Sequence, residues 1–187
     1  IGSKIQSWPL THIVKCLFFY HPDDSEELKN KQEQKIKELY FACLQSGHQL
    51  LLEVIPPSEF ENDEIAIPNI LQRFYDLEIK PDWWKLPSMI ESSWKRVSTI
   101  INTSDSHCQG VLLLGLSAPI DIVKKSFDVA AKYPICKGFT VGRTIFYDPA
   151  ELWMQNKITD EELVDSVSIN YIDLIKACKK KRQHIQQ

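Results

Sequence analysis

Short, nearly continuous apolar runs alternate along the chain with longer segments in which apolar residues recur every three or four positions. A continuous apolar run is typical of a strand buried on both faces, and the longer spacing is typical of a helix that buries one face. The runs predict five strands, over residues 12–20, 49–55, 81–86, 110–116 and 137–143.

The segments between the runs predict helices. The first begins at Ser25, a capping residue followed by two glutamates, and ends at Gly47. Further helical patterns cover residues 65–77, 90–101 and 119–132, and a turn at Asp148-Pro149 precedes a long terminal helix from about Asp160 to Lys180. Buried strands that alternate with helices indicate an α/β fold with a parallel sheet, either an open doubly wound layer or a barrel.

The composition fits a single globular domain over residues 1–187. Apolar residues make up 43% of the chain, charged residues 25%, and the net charge is −3. No apolar run approaches the roughly 20 residues that span a bilayer, and the first residues lack a signal-peptide pattern, so we expect a cytoplasmic protein without a membrane partner. The mildly acidic balance also argues against nucleic acid as a partner.

Dedicated cofactor sites are not expected. The five cysteines form no C-x-x-C pair, and the five histidines show no metal-ligand spacing, so we predict neither a disulfide framework nor a metal site. No glycine-rich phosphate loop follows any predicted strand, which disfavours a nucleotide-binding fold.

Four charged residues interrupt the apolar strands: Lys15, Glu53, Lys85 and Arg143. Burying a charge alone is costly, so each of them implies a charge partner or a bound anion. Ligands of parallel βα folds bind at the carboxyl ends of the strands, where such residues deserve inspection. If the first three strands are neighbours, Lys15, Glu53 and Lys85 form a row across the sheet.

A lysine-carboxylate-lysine row suits Schiff-base chemistry. A second cation and partial removal from water both lower the pKa of a lysine, and the neutral amine can then attack a carbonyl. Glu53 would transfer the protons that carbinolamine dehydration and C–C cleavage need. A plain ion pair in the core is the alternative for the same three residues, and the sequence leaves both interpretations open.

A phosphate site is predicted at the last two strands. The guanidinium of Arg143 suits a phosphate, and the segment Gly115-Leu116-Ser117 offers a hydroxyl and backbone N–H groups to the same anion. A salt bridge at a helix end or an interface is the alternative for Arg143. We expect His21 to hold a loop, with a catalytic role as the alternative. We expect Trp83 and Trp84 to pack in the core, with a surface for substrate stacking as the alternative.

Four segments together resemble a known family. They are VKCLFFYHPDDSEELKNKQ (14–32), LLLEVIPP (50–57), PDWWKL (81–86) and KGFTVGRTIF (137–146). Together they resemble the bacterial aldolase-like domain that follows the sugar kinase of inositol catabolism, of the 5-dehydro-2-deoxyphosphogluconate aldolase type. The resemblance covers residues 5–178. More distantly, the chain is similar to class I tagatose-bisphosphate aldolases, which are (β/α) barrels with a Schiff-base lysine.

The resemblance implies a role for each charged residue. Lys85, in the D-x-x-K pattern of residues 82–85, would be the Schiff-base lysine, Glu53 the acid/base and Lys15 a further site lysine. The Gly142-Arg143 pair would contact the substrate phosphate. The implied reaction is cleavage of a phosphorylated keto-deoxy sugar acid to dihydroxyacetone phosphate and malonate semialdehyde, without metal or cofactor.

The chain departs from that family in the number of strands. Its five βα units would correspond to strands four to eight of a TIM barrel, and 187 residues is below the ~200 to 250 of a complete one. A partial barrel exposes sheet edges, so we expect a homo-oligomer or association with the remaining barrel segment. The alternatives to an aldolase are an inactive half-barrel that binds phosphate or serves assembly, and a barrel isomerase that uses Glu53 as base.

Overall fold

The computed structural model describes residues 2–57 and 63–183. In this part of the chain the strands are β1 (Val14–Phe19), β2 (Leu50–Ile55), β3 (Trp83–Leu86), β4 (Gly110–Leu114) and β5 (Cys136–Thr140). The helices are α1 (Gly2–Ile5), α2 (Glu26–Ser46), α3 (Ala66–Asp76), α4 (Glu91–Ser104), α5 (Ile120–Ala130), α6 (Arg143–Met154) and α7 (Asp160–Gln183).

The five strands form one sheet in the order β1-β2-β3-β4-β5, and every neighbouring pair is parallel. The predicted α/β fold with a parallel sheet and alternating helices is therefore confirmed. A doubly wound sheet reverses its strand order at a switch point, whereas this order follows the chain from one edge to the other. The sequential order is consistent with a barrel-like βα repeat.

The main core lies between the sheet and the helices. Alternate side chains of each strand, such as Leu52, Trp84 and Leu113, are fully buried in one cluster with side chains from the helices. Burying one such leucine or tryptophan side chain contributes about 2 kcal/mol. The opposite face of the sheet carries the remaining strand residues, including Lys15, Glu53 and Lys85.

The ends of α2 match the sequence prediction. The side chain of Ser25 accepts a hydrogen bond from the backbone N–H of Leu28, and Gly47 ends the helix with a φ of 74°. Glycine suits that position because a left-handed backbone there carries no side-chain clash.

The outer face of β1 is open. Leu17 is 44% exposed and Phe19 55% exposed, whereas their register partners on β2, Glu53 and Ile55, are more enclosed. An edge strand with exposed apolar side chains offers a surface for further chain.

The structure corrects several predicted bounds. The first strand starts at Val14 rather than at residue 12, and the third at Trp83 rather than at residue 81. The fourth strand ends at Leu114 rather than at residue 116, and the fifth at Thr140 rather than at residue 143. The predicted turn at Asp148-Pro149 is wrong, since α6 continues through Pro149 to Met154.

The continuation of α6 through a proline has a visible cause. Proline has no backbone N–H, so the carbonyl of Ile145, four residues earlier, loses its helical donor. The side-chain amide of Asn170, on α7, donates a hydrogen bond to that carbonyl at 2.9 Å. A neighbouring helix thus replaces the missing donor.

A partly buried ionic network joins the residue after β1 to α2 and α3. Glu33 accepts a hydrogen bond from the hydroxyl of Tyr20 at 2.6 Å, and Arg73 donates to both of its oxygens at 2.9 Å. Burial alone would raise the pKa of Glu33, but the hydrogen bonds from Arg73 and Tyr20 lower the pKa of this carboxyl below its ordinary value.

Replacing Asn170 with alanine is expected to destabilise the protein by about 1 kcal/mol, because the carbonyl of Ile145 then lacks a donor. The measurement is the free energy of urea unfolding. Pro149→Ala restores the helical N–H, so Asn170→Ala should cost clearly less in that background. Equal costs in both backgrounds would contradict this explanation of the helix.

Glu33→Gln is expected to change the pH dependence of stability. Because the folded-state pKa of Glu33 is lowered, the carboxylate contributes stability above its unfolded pKa, and this contribution is lost as the pH falls through the folded pKa. The stability difference between wild type and Glu33→Gln should therefore be largest near neutral pH and shrink in acid. Urea unfolding between pH 3 and pH 7 measures it, and a difference that stays constant would refute the linkage.

Candidate active site

Three charged side chains meet on the face of the sheet that lies away from the main core. Glu53 and Lys85 are register partners on β2 and β3. Lys15 is displaced from the straight row that the sequence predicted, since its partner on β2 is Leu51 and the partner of Glu53 on β1 is Leu17. Lys15 therefore reaches Glu53 diagonally, which long side chains on adjacent strands can do.

Both lysines form ion pairs with the same carboxylate. The Lys15 Nζ lies 2.5 Å from Glu53 Oε2, and the Lys85 Nζ lies 3.1 Å from Glu53 Oε1. The Glu53 side chain is only 5% exposed, that of Lys85 14% and that of Lys15 47%. Two cations share one buried anion, so this Lys15-Glu53-Lys85 triad carries a net charge of +1.

The geometry of the triad permits proton transfer to and from an amine. Lys85 is largely enclosed, and its nitrogen is within hydrogen-bonding distance of a carboxylate oxygen. A carboxylate at this distance can take a proton from the ammonium group and return it to a neighbouring atom. Lys15 is half exposed and holds the other carboxylate oxygen.

The predicted phosphate residues lie at the carboxyl ends of β4 and β5. Arg143 is not the last residue of a strand, as the sequence suggested, but the exposed first residue of α6, and Gly142 is the residue that caps this helix. The first N–H groups of a helix lack helical partners, so this helix start is electrostatically suited to an anion.

Gly115 and Ser117 belong to a tight turn after β4. The backbone N–H of Ala118 donates to the carbonyl of Gly115 at 2.8 Å, and the two residues between them have positive φ, 48° at Leu116 and 62° at Ser117. Side-chain-bearing residues rarely adopt that conformation, so the turn is strained. The Ser117 side chain is exposed.

Close packing brings this turn to the start of α6. A Cβ placed on Gly115 would lie 2.8 Å from Thr144 Oγ1 and 2.9 Å from Val141 Cγ1, so only glycine fits. The four predicted phosphate residues are therefore assembled from two adjacent loops. Lys85 pairs in register with Leu112, and Gly115 follows β4 three residues after Leu112, about 10 Å at the rise of a strand.

A cleft of about 410 Å³ opens beyond the carboxyl ends of β2, β3 and β4. Its walls are mainly apolar and include Ile55, Leu114 and Gly115, while Asp63 and Ser88 add polar groups. The volume suits a small ligand. Residues of α3, α4 and α5, such as Ile67, Ser93 and Val123, complete its walls, and Lys15, Glu53 and Lys85 are not among the described residues that line it.

His21 and Asp63 form a pair that sequence reasoning did not identify. His21 is 1% exposed; its Nε2 lies 3.1 Å from Asp63 Oδ2, and its Nδ1 accepts a hydrogen bond from the backbone N–H of Asp23. The backbone N–H of Ile65, followed by His21, lowers the pKa of Asp63. The expected loop-holding role of His21 fits these contacts, but its partner lies 42 residues away and no local pattern reveals it.

The D-x-x-K aspartate and the two tryptophans have structural contacts. Asp82 accepts a hydrogen bond from the backbone N–H of Leu50 at 2.8 Å. This contact fixes the start of β2, at the amino end of the strands, opposite the loops that follow them. Trp84 is fully buried and donates to the hydroxyl of Tyr75, in agreement with the core role predicted for it. Trp83 is half-buried, and its indole donates to Gln49.

Neither a metal-binding cluster nor a membrane span is found among the described residues. They include no group of three or more histidine, cysteine, aspartate or glutamate side chains placed to hold a metal ion. No helix within residues 2–57 or 63–183 combines the length and the hydropathy of a membrane span.

Comparison with known proteins identifies the family of the chain. A family model described as an uncharacterized protein conserved in bacteria, DUF2090, matches residues 1–182. No curated protein matches the chain.

Glu53→Gln is expected to destabilise the protein by about 3 kcal/mol, because it leaves the enclosed ammonium of Lys85 without a counter-charge. Lys15→Met should cost less than about 1 kcal/mol, since the Lys15 side chain is half exposed and its ion pair is screened by water. Urea unfolding of both variants measures the difference. Equal losses of unfolding free energy in the two variants would show that the burial of Glu53 does not determine the stability of the triad.

Proposed function

The chain belongs to the bacterial DUF2090 family, and we propose that it is a class I, Schiff-base aldolase-like domain of partial (β/α) barrel type. The proposed substrate is a phosphorylated keto-deoxy sugar acid, and the proposed products are dihydroxyacetone phosphate and malonate semialdehyde, as in inositol catabolism. The observation that carries the proposal is the triad, in which an enclosed lysine contacts a buried carboxylate beside a second cation.

Lys85 is the proposed nucleophile. Its Nζ, after giving a proton to Glu53, attacks the ketone carbon of the substrate and forms a carbinolamine. Glu53 returns the proton to the carbinolamine hydroxyl, which leaves as water, and an iminium ion remains. The ion pair of Lys85 Nζ with Glu53 Oε1, at 3.1 Å, gives the short path that these proton transfers need.

Glu53 is also the proposed base for bond cleavage. Its carboxylate removes the proton of the hydroxyl on the far carbon of the breaking bond, the β-carbon relative to the iminium, and this carbon becomes the aldehyde. The electron pair of the broken C–C bond moves into the iminium ion and gives an enamine. Protonation of the enamine and hydrolysis of the resulting iminium release dihydroxyacetone phosphate and regenerate Lys85.

The other predicted residues have binding roles in this proposal. Arg143, Gly142, Ser117 and Gly115 bind the phosphate group at the adjoining ends of β4 and β5. Lys15 keeps one oxygen of Glu53 paired while the other exchanges protons. Further strands at the open edge of β1, from a longer polypeptide or a partner chain, would enclose the site from solvent.

A second candidate function is supported by that open edge. Leu17 and Phe19 are exposed next to the triad, and water at a half-open site disfavours Schiff-base chemistry. In this alternative the domain is a catalytically inactive module that binds a phosphorylated ligand or serves assembly, and the triad is a structural ion pair.

Borohydride trapping distinguishes the two functions. The protein is incubated with dihydroxyacetone phosphate, reduced with borohydride and analysed by intact mass and peptide mapping. The aldolase proposal expects a stable adduct on Lys85, because borohydride reduces an iminium to a secondary amine. Lys85→Met should abolish the adduct.

Matched variants control the experiment. Lys137→Met removes an exposed lysine of β5 and should leave the adduct unchanged. Arg143→Met should weaken adduct formation at low ligand concentration and spare it at saturation, since it affects binding and not attack. A wild-type protein that binds dihydroxyacetone phosphate by calorimetry without forming an adduct would support the inactive module and refute the aldolase.

A further inference from the structure

Several apolar side chains of the terminal helix α7 are exposed and do not pack against the rest of the protein. One side packs onto the rest of the protein through Leu174, which is fully buried, and through partly buried neighbours such as Val167 and Ala177. A different side exposes Val164 at 63%, Ile169 at 66% and Ile172 at 49%. Exposed apolar residues grouped on one side of a helix mark an interaction surface.

Charges on the same side of α7 are separated by sign. Glu161 and Asp165 lie near the beginning of the helix, and Lys176 and Lys179 lie near its end. At about 100° per residue, these four charges share a sector of roughly 120° with Val164 and Ile172. All four charged side chains are exposed.

These four charges differ from the other charges of α7 in their contacts. Asp173 pairs with Lys124, and Lys181 pairs with Asp128, so both tie α7 to α5. Among the ion pairs within the described residues, none involves Glu161, Asp165, Lys176 or Lys179. The four charged side chains that form no ion pair within the described residues are therefore the ones beside the exposed apolar residues.

We propose that this side of α7 binds the same side of α7 in a second copy of the chain, with the two helices antiparallel about a two-fold axis near Asn170. This arrangement places Glu161 opposite Lys179 of the other copy and Asp165 opposite Lys176. Ile169 and Ile172, which lie between Asp165 and Lys176, meet in the middle. The symmetry makes each contact occur twice, as in any isologous interface.

Charge complementarity is what selects a second copy as the partner. An acidic end, an apolar middle and a basic end form a pattern that is complementary to its own reverse. A parallel pairing would instead oppose like charges at both ends, which is unfavourable. The helix is long enough for this contact, since 24 residues span about 36 Å.

Sedimentation equilibrium over a range of micromolar concentrations tests the proposal. We expect a mass that rises with concentration from that of the 21.7 kDa chain to twice that value. Ile172→Glu should abolish the rise, because it buries a carboxylate at the centre of the interface. A wild-type protein that stays monomeric throughout would overturn the proposal.

Charge exchange tests the orientation. The variants Glu161→Lys/Asp165→Lys and Lys176→Glu/Lys179→Glu should each dimerise roughly tenfold or more weakly than wild type, because each opposes like charges at both ends of the interface. An equimolar mixture should restore the dimer, since every contact between the two variants joins opposite charges. Circular dichroism checks that each variant is folded.

A control variant separates the interface from net charge. Lys31→Glu/Lys37→Glu changes the overall charge of the protein as Lys176→Glu/Lys179→Glu does, but on exposed positions of α2. It should leave the dimer intact. If the charge variants of α7 dimerise as wild type does, or if their mixture gains nothing over either alone, another surface forms the dimer and the proposal is wrong.

Discussion

A carboxylate that lies inside a parallel sheet must be neutralised by its neighbours, and Glu53 sets this requirement for the whole candidate site. It sits on a strand whose other residues are almost all buried, so water cannot stabilise its charge. The register of β2 and β3 brings Lys85 beside it, and a diagonal reach brings Lys15. Any shift of register by one residue would turn Glu53 into the main core, where it would meet only apolar side chains.

The need to neutralise Glu53 also distinguishes the two faces of the sheet. Side chains on one face pack against the helices in the main core, and those on the other face include the charged triad. The loops that follow the strands add the polar groups of the cleft. A strained turn at Leu116 and Ser117 follows Gly115, a position where a side chain would clash with Thr144. The fold therefore provides a packed apolar layer on one face of the sheet and the Lys15-Glu53-Lys85 triad on the other.

Much of this organisation follows from local sequence patterns. Continuous apolar runs located the strands, although β1 is not buried on both faces as predicted, since Leu17 and Phe19 are exposed. Ser25 and Gly47 marked the ends of α2 through their backbone preferences. Lys15, Glu53 and Lys85 were conspicuous because they are charged residues within apolar runs. Features that depend on distant partners were not predictable: the diagonal position of Lys15 depends on register, and the pairing of His21 with Asp63 depends on a loop far along the chain.

The prediction of a turn at Pro149 was wrong for a related reason. The side chain that lets α6 continue through this proline, Asn170, lies 21 residues further along the chain. The hydrogen bond from Asn170 to the carbonyl of Ile145 matters only while position 149 cannot supply its own donor. Relatives of this chain that carry another residue at position 149 do not need an amide at position 170 to donate to this carbonyl. Relatives that keep the proline do need it. The two positions should therefore covary in an alignment of the family, although their side chains belong to different helices and neither lies at the candidate site.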